Sequence, residues 1–482
     1  MARYGKEIPK GWVVPVLAAM QGHPESPCLW EKHCDRILVD IGFTATIHEP
    51  CLYYGHFDGN KVYFKRQVDD FAIACAEERI ANIIFDAIDS KLQIPIKRQG
   101  LLTLFNGLDV HQSRWFIKIS VETYLTKTLL PYFNTWLDVP SKPMPVPLGT
   151  NEKFHTELYK AKGDPDVKVQ AKLAKQMGLG YRNAVGELIW PMTTCRPDLS
   201  QAVMKCASAS AAPTETYYNA VKSIFRYLAA TMKDGIYYWR TSAVLVLPDD
   251  DPPAIYSTPH DLLIHGRPQE QALGLCGYMD SSWADCPLTR RSTGGVCMRL
   301  AGGPVGWKGR LWPTVAHSST DAEYYETDDA GRMSLYIRSI LWDLGIPQEA
   351  ATILYEDNDG TTAMTNAGKP TSRTRHVDIE FYAIQEWVER DLVVLKRIDT
   401  SINMADHYTK PLPQILFYRH NDYNMGRVPP TYSPKYSECL RKYSVSEQKN
   451  TTTKQKEYTA RAAKTSAPWE QIVLCIHGST FF

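Results

Sequence analysis

Residues 273–280, LGLCGYMD, and 351–358, ATILYEDN, are two apolar runs that each end in acid, and their reading decides the fold of the second half of the chain. A short apolar run bounded by polar residues reads as a buried strand. Open α/β sheets bind ligands beyond the carboxyl ends of their strands, which is where Asp280 and Asp357 fall. From Leu273 to Pro413 the order reads strand, strand, strand, helix, strand, helix, helix, strand, helix. That alternation indicates an α/β sheet covered by helices. Glu323 lies in the opening turn of the first of these helices, within SSTDAEYY (318–325). Met333, Ile337, Ile340, Leu341 and Leu344 define the buried stripe of that helix, and Glu323 falls at its edge. Asp328 and Asp329 lie off the stripe and read as solvated surface acids. Asp406 opens a short helix in NMADHYTK (403–410).

Four inward carboxylates cannot all stay ionised without compensating charge, since an isolated buried charge costs several kcal/mol or shifts its pKa. Two divalent cations are the usual remedy. Such pairs cleave phosphodiesters, one generating the attacking hydroxide and the other stabilising the leaving oxygen. The competing reading is four unrelated acids on loops and helix caps. Their common position at strand and helix ends of one α/β unit favours a site.

The rest of the composition sets bounds. A length of 482 residues allows two to four domains. Hydrophobic residues at 44% and charged residues at 22% are ordinary for globular protein. The net charge of +1 means that any nucleic-acid surface must be local. Eleven cysteines without a C-x-x-C spacing read as reduced and structural, which points to an intracellular protein that is not secreted. WVVPVLAAM (12–20) only faintly mimics a signal peptide, and no apolar run is long enough for a membrane span.

In the first half, residues 26–43 carry an amphipathic helix with Leu29, Cys34, Ile37 and Leu38 on one face and Gly42 as its cap. Residues 51–75 alternate in β fashion around turns at Asp58-Gly59-Asn60 and Asp69-Asp70. Asp69 and Asp70 at a hairpin tip can present carboxylates to a metal-bound triphosphate, although Asp-Asp is also ordinary turn chemistry. A helix follows at 77–92, then short strands over 99–124 and helices within 176–231. Residues 241–271, with DDDPP and further turn formers, read as a linker. After Pro413 periodicity fades, and residues 441–464 are rich in Lys and Arg, a flexible basic tail by composition.

Five segments, GYMDSSWADCPLTRRSTGG (277–295), PTVAHSSTDAEYY (313–325), LYEDN (354–358), SRTRHVDIEFYAIQE (372–386) and ADHYTKPLP (405–413), resemble in order and spacing the RNase H domain of copia-type LTR retrotransposon polyproteins. The resemblance implies that Asp280, Glu323, Asp357 and Asp406 hold two Mg²⁺ ions, with Mn²⁺ as a substitute, and that the substrate is the RNA strand of an RNA–DNA hybrid. Arg290, Arg291, Arg373, Arg375 and His376 are then candidate contacts to hybrid phosphates or 2′-hydroxyls, against the plainer reading of a solvated basic face. Trp307 reads as core rather than groove lining. Asn358 either orients a metal ligand or caps the next helix.

QGHPESPCLWEKHCDRILVDIGF (21–43), HEPCLYY (48–54), QVDDFAIA (67–74), FNGLDV (105–110), YRNAVGELIWPMTTCRPDLSQAV (181–203) and YNAVKSIFRYL (218–228) resemble the later part of a copia-type reverse transcriptase. By that resemblance Asp69 and Asp70 belong to a polymerase metal site. Two departures stand out. Gln67 takes the place of the family's Tyr before V-D-D. No Asp precedes the first helix, where the family carries another metal-binding Asp, and Asp40 reads as a surface residue. The fingers segment is also absent, so the expectation is a 5′-truncated element, or a gene model begun at an internal Met, with RNA-directed DNA polymerase activity lost.

The expected architecture is α/β and α+β. Residues 1–235 would be a reverse-transcriptase remnant with palm and thumb-like regions. Residues 236–272 would be a linker, 273–413 an RNase H-like domain with a mixed five-stranded sheet, and 414–482 a basic tail. The expected partners are an RNA–DNA hybrid and a full-length reverse transcriptase or other element proteins, with no membrane. The alternative function is a catalytically inactive or co-opted nucleic-acid-binding remnant.

Overall fold

In the computed structural model, strands β1 (Phe43–Ala45), β2 (Leu52–Phe57), β3 (Asn60–Gln67) and β4 (Asp70–Ala74) pair antiparallel in sequence order. The structure describes residues 22–92, 96–133, 135–137, 145–160, 162–257, 267–367 and 378–444. The turn between β2 and β3 places Asp58 and Gly59 at φ 51° and 75°. Those left-handed values match the twist that a two-residue hairpin turn requires. Helices Ser26–Asp40 and Glu78–Leu92 cover this sheet. Ile80, Ile84, Ile88 and Leu92 recur every fourth residue, so one stripe meets Ile37, Leu38, Tyr53, Val62 and Phe64. Leu29, expected on the buried face, is half exposed; only Cys34, Ile37 and Leu38 of that set are buried.

The chain divides at Gly100 into two compact units. The second begins with β5 (Leu104–Phe105), β6 (Leu108–Gln112) and β7 (Phe116–Ser120), which are joined antiparallel by β8 (Gly235–Trp239). Helices Glu122–Phe133, Tyr181–Thr194, Ser200–Ala207 and Glu215–Ala230 build a shared core around Leu125, Leu188, Val203, Ile224 and Phe225. Residues 236–239, expected to open a linker, are therefore sheet. The segment after them is also anchored, because the Asp422 carboxylate accepts the N–H groups of Tyr256 and Ser257 at 2.9 and 2.6 Å.

The same unit holds a mixed sheet of β9 (Cys276–Ser282), β10 (Thr293–Leu300), β11 (Gly303–Leu311), β12 (Thr352–Glu356) and β13 (Val393–Arg397). Its order is β11-β10-β9-β12-β13, antiparallel on the first side of β9 and parallel from β9 through β12 to β13. The long helix Ser319–Asp343 packs on β9 and β10, started by Ser318, whose side chain accepts the Asp321 N–H. The short helix Asp406–Thr409 lies against β9 and β10 on the strength of a glycine: a Cβ at Gly295 would meet Tyr408 Cβ at 2.7 Å and Thr409 Cγ2 at 2.8 Å. Gly295 sits opposite Asp280 in the β10–β9 register.

Residues 414–444 are packed rather than a loose tail. Helices Gln414–Asn424 and Tyr436–Ser444 flank a buried stretch in which Arg427 pairs with Asp234 and Asp422. The Met425 carbonyl accepts the Tyr237 N–H, and the Gly426 carbonyl accepts Trp239 Nε1–H. Composition failed here because buried ion pairs and backbone bonds act beside the apolar contacts of Phe417, Met425 and Val428, and such pairs leave no period in the sequence. The basic residues from Lys449 onward lie outside the described residues. No helix among the described residues is long and apolar enough to cross a membrane.

Two outcomes test this packing. Gly295→Ala should lower stability by about 1–3 kcal/mol, whereas Gly186→Ala, in a helix with nothing within 4 Å of the added carbon, should raise it by about 1 kcal/mol; thermal unfolding of both variants checks the pair. His420 is buried, and burial, reinforced by Arg267, His407, Arg419 and Lys410, holds its pKa well below the ordinary 6.5. Below pH 6.5 the unfolded chain takes a proton that the folded chain refuses, so stability falls as pH falls through that value. His420→Met should therefore show a smaller drop in melting temperature on acidification than the native chain.

Candidate functional site

Asp280 is the fifth residue of β9, the central strand, and is buried. β12 runs parallel beside it, with Tyr355 paired to Tyr278, so the residues after β12 emerge at the same end of the sheet. Asp357 is the first of these. Glu323 reaches this end from the first turns of the long helix. One carboxylate oxygen from each of Asp280, Glu323 and Asp357 lies within 4.8 Å of the other two. Glu323 Oε2 is buried and has no hydrogen-bond partner. An unpartnered carboxylate oxygen beside two further carboxylates is a donor set suited to a hard divalent cation.

Asp406 arrives from the other side, and a lysine stands between it and Asp280. Lys410 Nζ is 3.0 Å from Asp280 Oδ1 and 2.7 Å from Asp406 Oδ1. The Thr409 hydroxyl donates to Asp280 Oδ2. The short helix is positioned by Asn403, which is fully buried: its amide donates to the Met279 carbonyl at 2.9 Å and its Oδ1 accepts the Ala405 N–H at 3.2 Å. Asn403 thus ties the Asp406 helix to the strand one residue before Asp280.

Glu356, the last residue of β12, adds a fifth carboxylate to the cluster and is fully buried. Its Oε1 accepts the Asn358 N–H at 2.8 Å, and its Oε2 has no partner. Burial pushes the Glu323 pKa well above the ordinary value, and Glu356, Asp280 and Asp357 add to the shift. Glu356 is raised in the same direction, by burial first. Asp406 is pushed up to about 7 by burial and then by Asp280, with Lys410 acting against both. Burial opposes the charge on Lys410, but Asp280 and Asp406 outweigh it and hold its pKa above the ordinary value. These are the signs of negative charge crowded beyond what the side chains alone can neutralise.

Arg290 and Arg291 sit on the loop between β9 and β10, Arg290 exposed with φ 54° and Arg291 half-buried. That loop leaves the sheet two residues after Asp280 and is closed by Arg290 N–H donating to the Cys286 carbonyl at 2.7 Å. Arg373, Arg375 and His376 lie outside the described residues. Asn358 caps the helix Asp359–Ala367, its Oδ1 accepting the Thr361 N–H at 3.1 Å. Trp307 packs partly buried against the helical core, donating Nε1–H to the Met192 carbonyl. Asp328 is buried against Arg332, and Asp329 is half-buried with Lys308 and Arg310. The expectation of solvated acids at these two positions fails, at Asp329 because Lys308 and Arg310 on β11 pair with it.

Asp69 and Asp70 belong to the first unit. Both are exposed, at the reversal between β3 and β4, where Gln67 pairs with Asp70. Asp40 is exposed and pairs with Lys91. Glu356, Asn403 and Lys410 were missed by pattern reasoning.

No family model matches the chain. It is 25% identical over 412 residues to the Retrovirus-related Pol polyprotein from transposon TNT 1-94 of Nicotiana tabacum, covering 85% of this chain and 28% of the relative. It is 25% identical over 421 residues to the Retrovirus-related Pol polyprotein from transposon RE2 of Arabidopsis thaliana, covering 87% of this chain and 26% of the relative. It is also 25% identical over 319 residues to the putative transposon Ty5-1 protein YCL074W of Saccharomyces cerevisiae, covering 65% of this chain and 87% of that protein. The chain thus spans about a quarter of the length of the two plant polyproteins. Aligned along most of its own length with such proteins, it is a homologue of the retrovirus-related Pol polyproteins of copia-type transposons.

Proposed function

We propose that the five-stranded unit of this chain is a ribonuclease H, which cleaves the RNA strand of an RNA–DNA hybrid with two Mg²⁺ ions. The observation that carries the reading is the convergence of Asp280, Glu323 and Asp357 within 4.8 Å at the carboxyl ends of two parallel strands. Divalent cations bound there would polarise the scissile phosphodiester and lower the pKa of an attacking water. The side chains do the rest. Asp280, oriented by the Thr409 hydroxyl, faces both sides of the cluster. Glu323 and Asp357 supply the oxygens on one side, and Asp406, fixed by the Asn403 anchor of its helix, supplies those on the other. Arg290 and Arg291 would meet backbone phosphates of the hybrid and fix its register. Asp69 and Asp70 would be what this chain keeps of a polymerase metal site, without polymerase activity of its own.

Incubated with a labelled hybrid and Mg²⁺, the native chain should degrade the RNA strand. Asp357→Asn should lose at least about a hundredfold in rate, on the scale of removing one group that stabilises charge in a transition state; equal degradation by both proteins, or by neither, overturns the reading. Replacing Arg290 and Arg291 together with Ala should weaken hybrid binding and flatten its salt dependence by roughly one unit of slope for each phosphate no longer neutralised, as measured by fluorescence anisotropy over a salt series.

A further inference from the structure

We propose that Lys410 is a built-in, displaceable counter-cation, so that the carboxylate cluster takes up its two divalent ions in unequal steps, the second only by evicting the lysine. The inference rests on the reading of the cluster as a divalent-cation site and adds an order of loading to it.

The two sides of the cluster differ in charge. On one side Glu323 and Asp357 make no ion pair among the described residues, and Glu323 Oε2 and Glu356 Oε2 are buried without partners. On the other side the Lys410 ammonium already lies between Asp280 Oδ1 and Asp406 Oδ1, at 3.0 and 2.7 Å. An ammonium is a compact point charge that satisfies two carboxylates without the six-oxygen geometry that Mg²⁺ demands. The first ion therefore enters where negative charge is uncompensated. The second must compete with a cation covalently tethered beside its position, whose effective concentration is high because the tether is short.

The lysine is built to leave. It is the residue that ends the Asp406–Thr409 helix, and it carries its charge on a flexible four-carbon stem. Its side chain keeps 35% of its surface open to solvent, while Asp280 and Asp406 are 1% and 6% open. Asp280 does not depend on the lysine for its orientation, because the Thr409 hydroxyl holds Oδ2 while the ammonium sits on Oδ1. When Lys410 swings out, Asp280 and Asp406 remain in place, the latter through the Asn403 anchor of its helix. With the lysine seated, the chain tolerates its own crowded acids at low divalent-ion concentration; with it displaced, the same acids are free for the second ion.

The test is a Mn²⁺ titration of the full metal-free chain, with free Mn²⁺ followed by electron paramagnetic resonance. The native chain should bind one ion and then a second at least about tenfold more weakly, a gap of about 1.4 kcal/mol. In Lys410→Met, and in Lys410→Gln as a polar alternative should the first fold poorly, the gap should shrink to about threefold or less, while Lys410→Arg, which keeps the charge, should preserve it. Two ions of equal affinity in the native chain, or a gap that survives in the Met and Gln variants, overturns the role of Lys410 and leaves the metal site standing. Absence of stoichiometric binding in every variant overturns both.

Discussion

Mutual repulsion among carboxylates, opposed by the rigidity of a sheet, is the constraint on which the second unit turns. The parallel pairing of β9 and β12 delivers Asp280, Glu356 and Asp357 to one end of the sheet. A sheet whose strands are covered on their faces has little freedom to splay. The fold therefore answers the repulsion chemically: burial and the neighbouring acids push Glu323 and Glu356 toward their neutral forms, a threonine hydroxyl donates to Asp280, and an ammonium stands between Asp280 and Asp406. Each is a partial neutralisation, and together they leave a site that favours added positive charge.

Holding that end in place takes more than the sheet itself. The short helix bearing Asp406 can approach β10 only because position 295 has no side chain, and Asn403 then pins it to the backbone beside Asp280. Behind it, the buried Arg196–Asp198 pair with Tyr227, and the Arg427 pairs with Asp234 and Asp422, consist of charges that are costly to bury and more costly to break. Arg299 closes the same region by reaching Glu270 and the carbonyls of Gly302 and Tyr423. Geometry at the acids is thus supported from elements far along the chain.

How much was legible follows from which forces write themselves into a sequence. Asp280 and Asp357 were visible because each ends an apolar run, and Glu323 because helical phase set it against Ile337 and Leu341. The mixed order of strands and helices after Leu273 was visible for the same reason. Glu356 was hidden by its neighbour: in alternating strand logic only one of two adjacent acids should turn inward, yet the end of β12 buries both sides. Lys410 was hidden because a lysine after a helix is ordinary capping chemistry until a pair of carboxylates is found beside it. The packed stretch 414–444 was hidden because Asp422, Asn424 and Arg427 are polar residues buried by specific pairing, and pairing has no period. Leu29 shows the converse, an apolar residue on the right phase that is left half exposed.

The strap formed by residues 421–427 carries a consequence for heredity as well as for packing. It closes against β8 at Tyr237 and Trp239 and against Arg299 in β10, so the two sheets of the second unit share one set of fastenings. A recombination event that exchanged only the acid-bearing sheet would strand these donors and acceptors on both sides of the crossover. An exchange that keeps the fastenings whole must therefore carry the helical region together with the acid-bearing sheet.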